Sequence, residues 1–412
     1  MLLVSLTIVA GVTGLSYFLS KSMLYPSVVY AALWSLQLLG LLLFGDRFIA
    51  PSAEALLVVV LGAFVFAIGS FLSLTKIDES RLIANSRRVK GGLGAYLLAA
   101  IVVAICLHGQ YQAFADLGYN LDFAATLVYA RTLVSVEDQD IYSLYKYGSP
   151  VAMGCLILLQ LLIINNEAKL SHKLLFVFFL LASLFMGVLS TGRGPVILVF
   201  LLLITTYLFR VGLNWRIRLI SVGVLFPIFM IFWIMGKVMG KADDLASGAA
   251  GEFADYFFSS IPALSVYLKQ HPLRIMDGDF GGNTFRFFIA VAAALGLADR
   301  PRSLVQDFVG VPHMTNLYTI YFHYVKDFGL IGVILIPLFL GFVHGRIFRW
   351  AMVAGIRERS DFAIYILSLS YLPLLQAIFQ ESHFTSLSTW IQFVVVGILM
   401  TRRNSLRTIH GF

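Results

Sequence analysis

The chain has 412 residues, of which 59% are hydrophobic and only 13% are charged. A soluble globular protein carries about a quarter charged residues, so this composition excludes a water-soluble domain as the main structure. The net charge of +8 is spread over many loops and does not predict a nucleic-acid partner. No Walker-type Gly-Lys-Ser/Thr sequence occurs, which argues against nucleotide hydrolysis. Cys106 and Cys155 both lie in apolar segments and are expected to pack there as small hydrophobic side chains.

Apolar runs of membrane-spanning length recur along the whole chain. A helix needs about 20 mainly apolar residues to cross the hydrocarbon core of a bilayer. The first run lacks the positive flank and the cleavage site of a signal peptide, so we expect it to be a retained span. The predicted fold is an all-α polytopic membrane protein with about 11 transmembrane helices. They are Leu2–Phe18, Val28–Phe44, Ala53–Leu74, Gly91–Leu107, Pro150–Ile164, Leu174–Leu189, Val196–Phe209, Leu219–Ile234, Leu330–Val343, Ala363–Phe379 and Leu387–Met400.

The charge on the loops predicts the orientation. Alternate connections and the C-terminal tail hold 18 basic and five acidic residues, whereas the opposite side holds 12 basic and 17 acidic residues. By the positive-inside rule, the basic side is cytoplasmic, so the N-terminus lies outside and the C-terminus inside. Residues 1–412 are then predicted to form a single transmembrane domain with a large external loop at 235–328 and a smaller one at 108–148.

Arg193 lies in the turn Ser-Thr-Gly-Arg-Gly-Pro at 190–195, between two predicted spans on the external side. A guanidinium group pairs bidentately with phosphate. The flanking glycines, Gly192 and Gly194, allow a ligand to approach the backbone closely. The turn therefore predicts a phosphate-binding arginine, with a snorkelling residue in a tight turn as the alternative.

The segment from Pro312 to Gly329 predicts a helix that is capped at Thr315 or Asn316 and ends at Gly329. Aromatic residues, Tyr318 among them, flank a polar stripe on this helix. Such a surface suits a sugar, and an interfacial helix with an ordinary aromatic belt is the alternative. The stripe is formed by residues spaced three or four apart: Asn316, Thr319, His323 and Asp327.

Arg286 is the leading candidate among the basic residues of the large loop. Gly281 and Gly282 precede it, and the apolar stretch Phe287–Leu297 follows. That stretch is too short to span a bilayer and predicts a re-entrant or interfacial helix with Arg286 near its start. Arg131 and Arg274 are further candidates for binding an anion, and Glu381 and His383 are candidate acid/base groups in the last external turn.

Two Asp-x-Asp patterns occur, Asp138–Asp140 and Asp277–Asp279. Such pairs bind divalent metal in many sugar transferases because they offer two hard oxygen ligands. The pattern is short and arises easily in acidic loops. We therefore expect no bound metal.

Three stretches together resemble the O-antigen (oligosaccharide repeat-unit) polymerases of bacterial inner membranes. They are Leu-Ser-Thr-Gly-Arg-Gly-Pro at 189–195, Thr-Asn-Leu-Tyr-Thr at 315–319, and Asp-Phe-Gly-Leu-Ile-Gly at 327–332, which leads into a span ending at Gly341–Gly345. The number of spans and the large late loop agree with that family. The related O-antigen ligases carry a His-Asn pair where this chain has Thr315-Asn316, and this difference favours a polymerase.

The resemblance implies an inverting, metal- and cofactor-independent glycosyl transfer at the periplasmic face, in a GT-C-like fold. The growing chain on undecaprenyl pyrophosphate is the implied donor, and a hydroxyl of a new lipid-linked repeat is the acceptor. Arginines such as Arg193 and Arg286 would stabilise the departing pyrophosphate. The proton acceptor would be Asp327, His323 or His313, and Glu381 is a further candidate catalytic group. The implied partners are the lipid-linked oligosaccharide, the bilayer and a chain-length-regulating co-polymerase.

Two rival functions stay open. One is an O-antigen ligase, which transfers finished glycan to the lipid A core. The other is a lipid-linked oligosaccharide flippase or other transporter. Transporters usually show internal repeats and ionisable groups near mid-membrane. Here the predicted spans carry almost no charge, which favours an enzyme with an external site.

Overall fold

A computed structural model gives the fold. The structure describes residues 1–73, 87–89, 92–135, 141–191, 193–212, 230, 233–234, 236, 248–276, 281–299, 301–303, 306–311, 313–352 and 359–403. The helices in this part of the chain are α1 Leu2–Ser20, α2 Pro26–Leu43, α3 Ala53–Leu72, α4 Leu93–Leu117, α5 Phe123–Ser135, α6 Gly148–Ile164, α7 Leu170–Leu189, α8 Arg193–Val211, α9 Gly248–Phe258, α10 Ser260–Gln270, α11 Arg286–Ala294, α12 Ile320–Met352, α13 Asp361–Gln376 and α14 Leu387–Met400. Four short strands accompany them: β1 Arg87–Val89, β2 Val309–Gly310, β3 Met314–Thr315 and β4 Thr401–Arg403.

The helices confirm a polytopic, mainly helical membrane protein. Within the described residues, eight are long and apolar enough to cross a membrane: α1, α2, α3, α4, α6 with its preceding turn, α7, α8 and α12. Shorter apolar helices include α13 and α14. Ten of the eleven predicted spans coincide with these helices, and the predicted span Leu219–Ile234 lies largely outside the described residues. The total of eleven and the GT-C likeness stay predictions.

Packing divides the chain into two compact units. The first comprises Met1–Lys76, Ala246–Arg349 and Pro373–Leu387. The second comprises Ile77–Leu245, Trp350–Leu372 and Ser388–Phe412. The single transmembrane domain expected from the sequence stays a prediction.

In the first unit, α3 and α12 pack with their backbones almost in contact. A Cβ atom added at Gly69 would lie 2.0 Å from the Leu338 carbonyl oxygen, and one added at Gly341 would lie 2.1 Å from that of Phe66. Helices associate closely in membranes where glycine allows their backbones to approach. This contact fixes the apolar half of α12 against α3.

Aromatic side chains fill the core beside the N-terminal half of α12. Trp34 stacks on Tyr321 with 5.0 Å between ring centroids, and Tyr30 stacks on Phe66 at 4.0 Å. The Tyr30 hydroxyl donates to the Tyr321 hydroxyl over 3.0 Å. Both hydroxyl groups are buried, and this bond satisfies them in an apolar setting.

The predicted helix from Pro312 to Gly329 is wrong at its start. Met314 and Thr315 form β3, which pairs antiparallel with β2, and the helix begins only at Ile320. The Thr315 hydroxyl accepts from the Leu317 amide at 3.1 Å, and the Ile320 amide donates to the Ala377 carbonyl at 2.8 Å. These bonds compete with helical ones, so the regular helix begins only after Thr319.

Gly329 interrupts α12, as the sequence predicts. Its dihedral angles are φ 62° and ψ −147°, a conformation available essentially to glycine alone. The break frees the amides of Leu330 and Ile331 from helical partners. They donate instead to the carbonyl oxygens of Arg274 and Ile275, at 2.9 and 3.1 Å.

In the second unit, one buried carboxylate joins several elements. Asp361, at the start of α13, accepts from the Val89 amide at 3.1 Å and from the Asn165 side chain at 3.2 Å. Its oxygen also lies 3.4 Å from Arg88 and 3.8 Å from Arg210. Asp361 is completely buried, so it ties β1, the end of α6 and the end of α8 to α13.

Candidate functional site

The start of α11 presents Arg286 at the end of a glycine turn. Gly281 has φ 88°, in the left-handed region that favours glycine. The Phe285 amide donates to the Gly281 carbonyl at 2.7 Å, which closes the turn. Arg286 is the first helical residue and is partly buried. The short helix predicted to follow Arg286 is confirmed.

Asp327 on α12 holds this turn through its backbone. The carboxylate accepts from the Asn283 amide at 3.0 and 3.1 Å and from the Thr284 amide at 2.6 Å. The Asn283 side-chain amide donates to it as well. Asp327 is 0% exposed. Both of its oxygens are therefore engaged in fixing the backbone just before Arg286.

Aromatic rings hold the same turn from two further directions. The Phe285 ring lies 5.8 Å from the Phe328 ring on α12 and 5.2 Å from the Phe384 ring in the connection between α13 and α14. Such edge and tilted contacts add to the apolar burial of the rings. The position of Arg286 is thus set by both α12 and the 377–386 connection.

Arg274 lies close in sequence to the glycine turn, with an exposed side chain. Its carbonyl oxygen accepts the Leu330 amide freed by the Gly329 break. The backbone of Arg274 is therefore fixed against α12, while the guanidinium-bearing side chain faces outward from the core.

A second group of polar side chains centres on Asp255 of α9. Arg47 forms a two-pronged ion pair with it, from Nε at 3.1 Å and from Nη2 at 2.8 Å. The Asp255 carboxylate raises the pKa of Arg47 by accepting these bonds. His313 places Nε2 at 3.5 Å from the second Asp255 oxygen, and its side chain is 52% exposed. The arrangement presents an accessible imidazole oriented by a carboxylate that is itself held in place.

Glu381 is buried in the connection after α13 and caps its own turn. Its carboxylate accepts from the backbone amides of His383, Phe384 and Thr385 at 2.8 to 3.0 Å. Burial raises the pKa of Glu381, and these amides partly offset that effect. The pKa of His383 is held well below its usual range by burial and by His344, whose Nε2 lies 3.1 Å from Nε2 of His383.

The connection between α13 and α14 borders both groups. The Phe379 ring lies 5.1 Å from Phe257, two residues from Asp255, and the Phe384 ring touches Phe285, next to Arg286. Five residues of extended chain span at most about 18 Å. The structure therefore brings the Arg286 turn and the His313–Asp255 pair to the same short connection.

The residues predicted to bind sugar do not share one helical face. Tyr318 is buried, stacks on Phe322 at 4.1 Å and donates from its hydroxyl to the Asp307 carbonyl at 3.2 Å. Burial raises the pKa of Tyr318 to about 12. Thr319 and His323 are also buried, whereas Asn316 is partly exposed in the segment between β3 and α12. Asn316 is thus the accessible member of this set.

Arg131 and Arg193 both belong to the second unit. Arg193 is the first residue of α8, and its side chain lies outside the described residues. The preceding turn contains Thr191 with φ 57°, an unusual conformation for a β-branched residue. Tyr142 donates to the Leu189 carbonyl beside this turn. Both residues share a buried cluster with α5, the helix that carries Arg131.

Asp255, Arg47 and Asn283 belong to the candidate site but were not predicted from the sequence. Arg47 and Asp255 are 208 residues apart, and their pairing leaves no local signal. Asn283 follows the Gly281-Gly282 pair that the sequence singles out, and it could have been included on that ground.

Within the described residues, no group of three or more His, Cys, Asp or Glu side chains could hold a metal ion. Asp138–Asp140 and Asp277–Asp279 lie outside those residues. The expected independence of metal stays a prediction.

Comparison with known proteins supports the resemblance seen in the three short motifs. The chain is 24% identical over 407 residues to an Escherichia coli K12 protein named "Putative O-antigen polymerase". The match covers 93% of this chain and 94% of that protein. No family model matches the chain, and no solved structure matches it significantly.

Proposed function

We propose that this protein is a membrane glycosyltransferase that polymerises undecaprenyl-pyrophosphate-linked oligosaccharide repeat units into an O-antigen-type polysaccharide. The observation that carries the proposal is the similarity to the Escherichia coli relative, which extends over nearly the whole of both chains. The multi-helix membrane fold supports it, because a lipid-linked substrate presents its pyrophosphate at the membrane surface.

The proposed location is the bacterial inner membrane, with the N-terminus and the polymerising site in the periplasm and the C-terminus in the cytoplasm. Reporter fusions test this orientation. Fusions at Arg87 and Arg357 should report the cytoplasm, and fusions at Glu137 and Asp255 the periplasm. A cytoplasmic signal from Asp255 would place the site on the wrong side for lipid-linked repeats.

In the proposed reaction, the acceptor hydroxyl oxygen forms a bond to the anomeric carbon of the donor sugar. The bond from that carbon to the pyrophosphate oxygen breaks, and its electron pair stays on the pyrophosphate. Arginines oriented in advance stabilise this developing charge where water is excluded. Arg286 suits this role because α12 and the 377–386 connection fix its turn, and Arg274, Arg193 and Arg131 are further proposed anion-binding residues.

His313 is the proposed acceptor of the hydroxyl proton. Asp255 faces its Nε2 at 3.5 Å, so an Nε2–H directed at the carboxylate leaves the lone pair of Nδ1 available. Arg47 holds Asp255 in that position. The 52% exposure of the imidazole side chain lets a substrate reach it. Neighbouring Asn316, partly exposed, is a proposed hydrogen-bonding contact for the sugar.

Asp327, His323 and Glu381 are less suited to proton transfer than the sequence alone predicts. The carboxylate oxygens of Asp327 and Glu381 already accept hydrogen bonds from backbone amides, and His323 is buried. We therefore assign Asp327 and Glu381 positioning roles: Asp327 fixes the Arg286 turn and Glu381 fixes the connection that contacts it. A chain-length-regulating co-polymerase is the proposed protein partner.

Polymerisation of lipid-linked repeats by the purified protein tests the proposal. Arg286→Ala should slow it about a hundredfold, since one lost charged donor at a developing anion costs roughly 3 kcal/mol. Arg286→Lys keeps the charge but loses the fork and should be intermediate. Arg302→Ala, in the same loop region, is the matched control and should retain activity. Near wild-type rates for Arg286→Ala would refute the site.

The same assay tests the proton acceptor and the metal. His313→Ala should lower the rate strongly, whereas the exposed His271→Ala should not. EDTA should leave activity unchanged, and loss with recovery on adding Mn²⁺ or Mg²⁺ would overturn metal independence. In cells, loss of polymerase activity should leave lipopolysaccharide capped with single repeats. Loss of all repeats from lipid A core would indicate a ligase instead.

A further inference from the structure

The two-stranded ribbon formed by β1 and β4 is unusually rich in arginine. Arg87 lies opposite Arg403, and Arg88 lies opposite Arg402, with Val89 opposite Thr401. Four of the six residues are therefore arginines, placed in facing pairs. Like charges directly opposite each other destabilise a strand pair. The ribbon consequently requires a compensating interaction.

Asp361 supplies part of that compensation. It accepts from the Val89 amide at 3.1 Å and lies 3.4 Å from the Arg88 guanidinium. The same carboxylate also receives Asn165 and lies 3.8 Å from Arg210. Asp361 is thus shared between Arg88 and Arg210, and the six residues of the ribbon themselves include four arginines and no acidic residue.

The ribbon continues directly from an apolar helix. α14 ends at Met400, and β4 begins at Thr401, whose hydroxyl donates to the Gly397 carbonyl at 2.7 Å. In the last turn of α14, Ile398 and Leu399 are 45% and 60% exposed. An exposed apolar helix end followed by arginines matches the depth at which hydrocarbon gives way to lipid headgroups.

We propose that the β1–β4 ribbon is a binding site for the phosphodiester headgroup of an anionic phospholipid, with the acyl chains lying along the exposed end of α14. Arg402 is exposed and lies opposite Arg88, whose side chain is 24% exposed, so the two residues lie on the same side of the ribbon. Guanidinium forks match phosphate oxygens bidentately. The neighbouring apolar surface favours a lipid over soluble phosphate.

The test uses the purified full-length protein in neutral detergent, titrated with phosphatidylglycerol, with phosphatidylcholine or with inorganic phosphate. Thermal unfolding and the number of lipids retained in native mass spectrometry are the two measurements. Arg402→Gln with Arg403→Gln is the test variant, because it leaves the Arg88–Asp361 contact intact. Arg346→Gln, an exposed arginine on α12, is the matched control.

Phosphatidylglycerol should raise the melting temperature of the wild type and of Arg346→Gln and should be retained by both. The double variant should melt like the wild type in phosphatidylcholine but bind phosphatidylglycerol about thirtyfold more weakly, given the typical contribution of each basic residue near an anionic surface. Equal stabilisation by phosphatidylcholine or by inorganic phosphate would overturn the proposal. Equal loss in Arg346→Gln, or undiminished binding by the double variant, would also overturn it.

Discussion

Two completely buried aspartates show how the same side chain serves two different purposes. Asp327 accepts from the backbone amides of Asn283 and Thr284, whereas Asp361 lies against the guanidinium groups of Arg88 and Arg210. A carboxylate bound by backbone amides dictates the conformation of one turn. A carboxylate bound by long side chains ties separate elements together. The first should therefore govern activity through Arg286, and the second should govern the stability of the fold.

Replacing Asp361 with alanine should have the largest effect. The change removes the carboxylate that faces Arg210, whose side chain is 8% exposed, and takes away the side-chain acceptor of the Val89 amide. Breaking a buried ion pair from one side costs about 3–5 kcal/mol. We expect low membrane abundance and a melting temperature reduced by about 10 °C. Asp361→Asn, which keeps one acceptor oxygen, should recover part of the loss. A melting temperature unchanged in Asp361→Ala would contradict the assigned role.

Asp327→Asn should reduce activity more than stability. One amide oxygen replaces two carboxylate oxygens, so a buried backbone donor of Asn283 or Thr284 loses its acceptor, at about 1–3 kcal/mol. We expect polymerisation at least tenfold slower and a smaller fall in melting temperature than in Asp361→Ala. Because Asp327 positions Arg286, the residual activity should keep the pH profile of the wild type. An altered profile would instead identify Asp327 as a proton-transfer group.

The asparagines next to the two aspartates provide a matched and milder pair. Asn283 donates to Asp327, and Asn165 bridges Asp361 and Arg210. Asn283→Ala should slow polymerisation a few-fold with little change in melting temperature. Asn165→Ala should lower stability by about 1 kcal/mol while activity per folded molecule stays unchanged. The reverse pattern would show that the two carboxylates do not divide their roles in this way.

The smallest expected effect is on the pH dependence of the melting temperature. It concerns the surroundings of a third buried carboxylate, Glu381, which accepts backbone amides as Asp327 does. The pKa of His383 beside it is held well below its usual range by burial and by His344. A lowered histidine pKa stabilises the fold above pH 6.5, and this contribution is lost as the pH falls further. His383→Gln should therefore flatten the decrease in melting temperature between about pH 6.5 and 5. The exposed His271→Gln should leave that decrease unchanged.

The sequence predicts those structural features that depend on residues close together in the chain. Apolar runs located ten helices, and Gly281-Gly282 followed by an apolar stretch located the short helix that begins at Arg286. The interruption of the helix at Gly329 is also predicted from the sequence, because positive φ favours glycine. These features arise from local preference or from one-dimensional periodicity.

The features that were missed depend on contacts distant in the chain. The sequence predicts a helix start near Thr315, whereas the helix begins at Ile320. The Ile320 amide donates to the Ala377 carbonyl, which is distant in the chain. The positioning role proposed for Asp327 rests on its contacts with Asn283 and Thr284, which lie 44 and 43 residues away. No spacing rule reveals such pairings, since tertiary contacts decide them.

The break at Gly329 has a consequence for mutational tolerance. Its φ of 62° and ψ of −147° exclude every side chain that carries a Cβ, and the two freed amides that follow it donate to the carbonyl oxygens of Arg274 and Ile275. Gly11 and Gly14 on α1, by contrast, have open space where a Cβ would lie. In a library that covers every single substitution, position 329 should therefore accept glycine alone, while positions 11 and 14 accept alanine freely. All three glycines lie in helices with many apolar residues. Substitution is nevertheless excluded at position 329 and tolerated at positions 11 and 14.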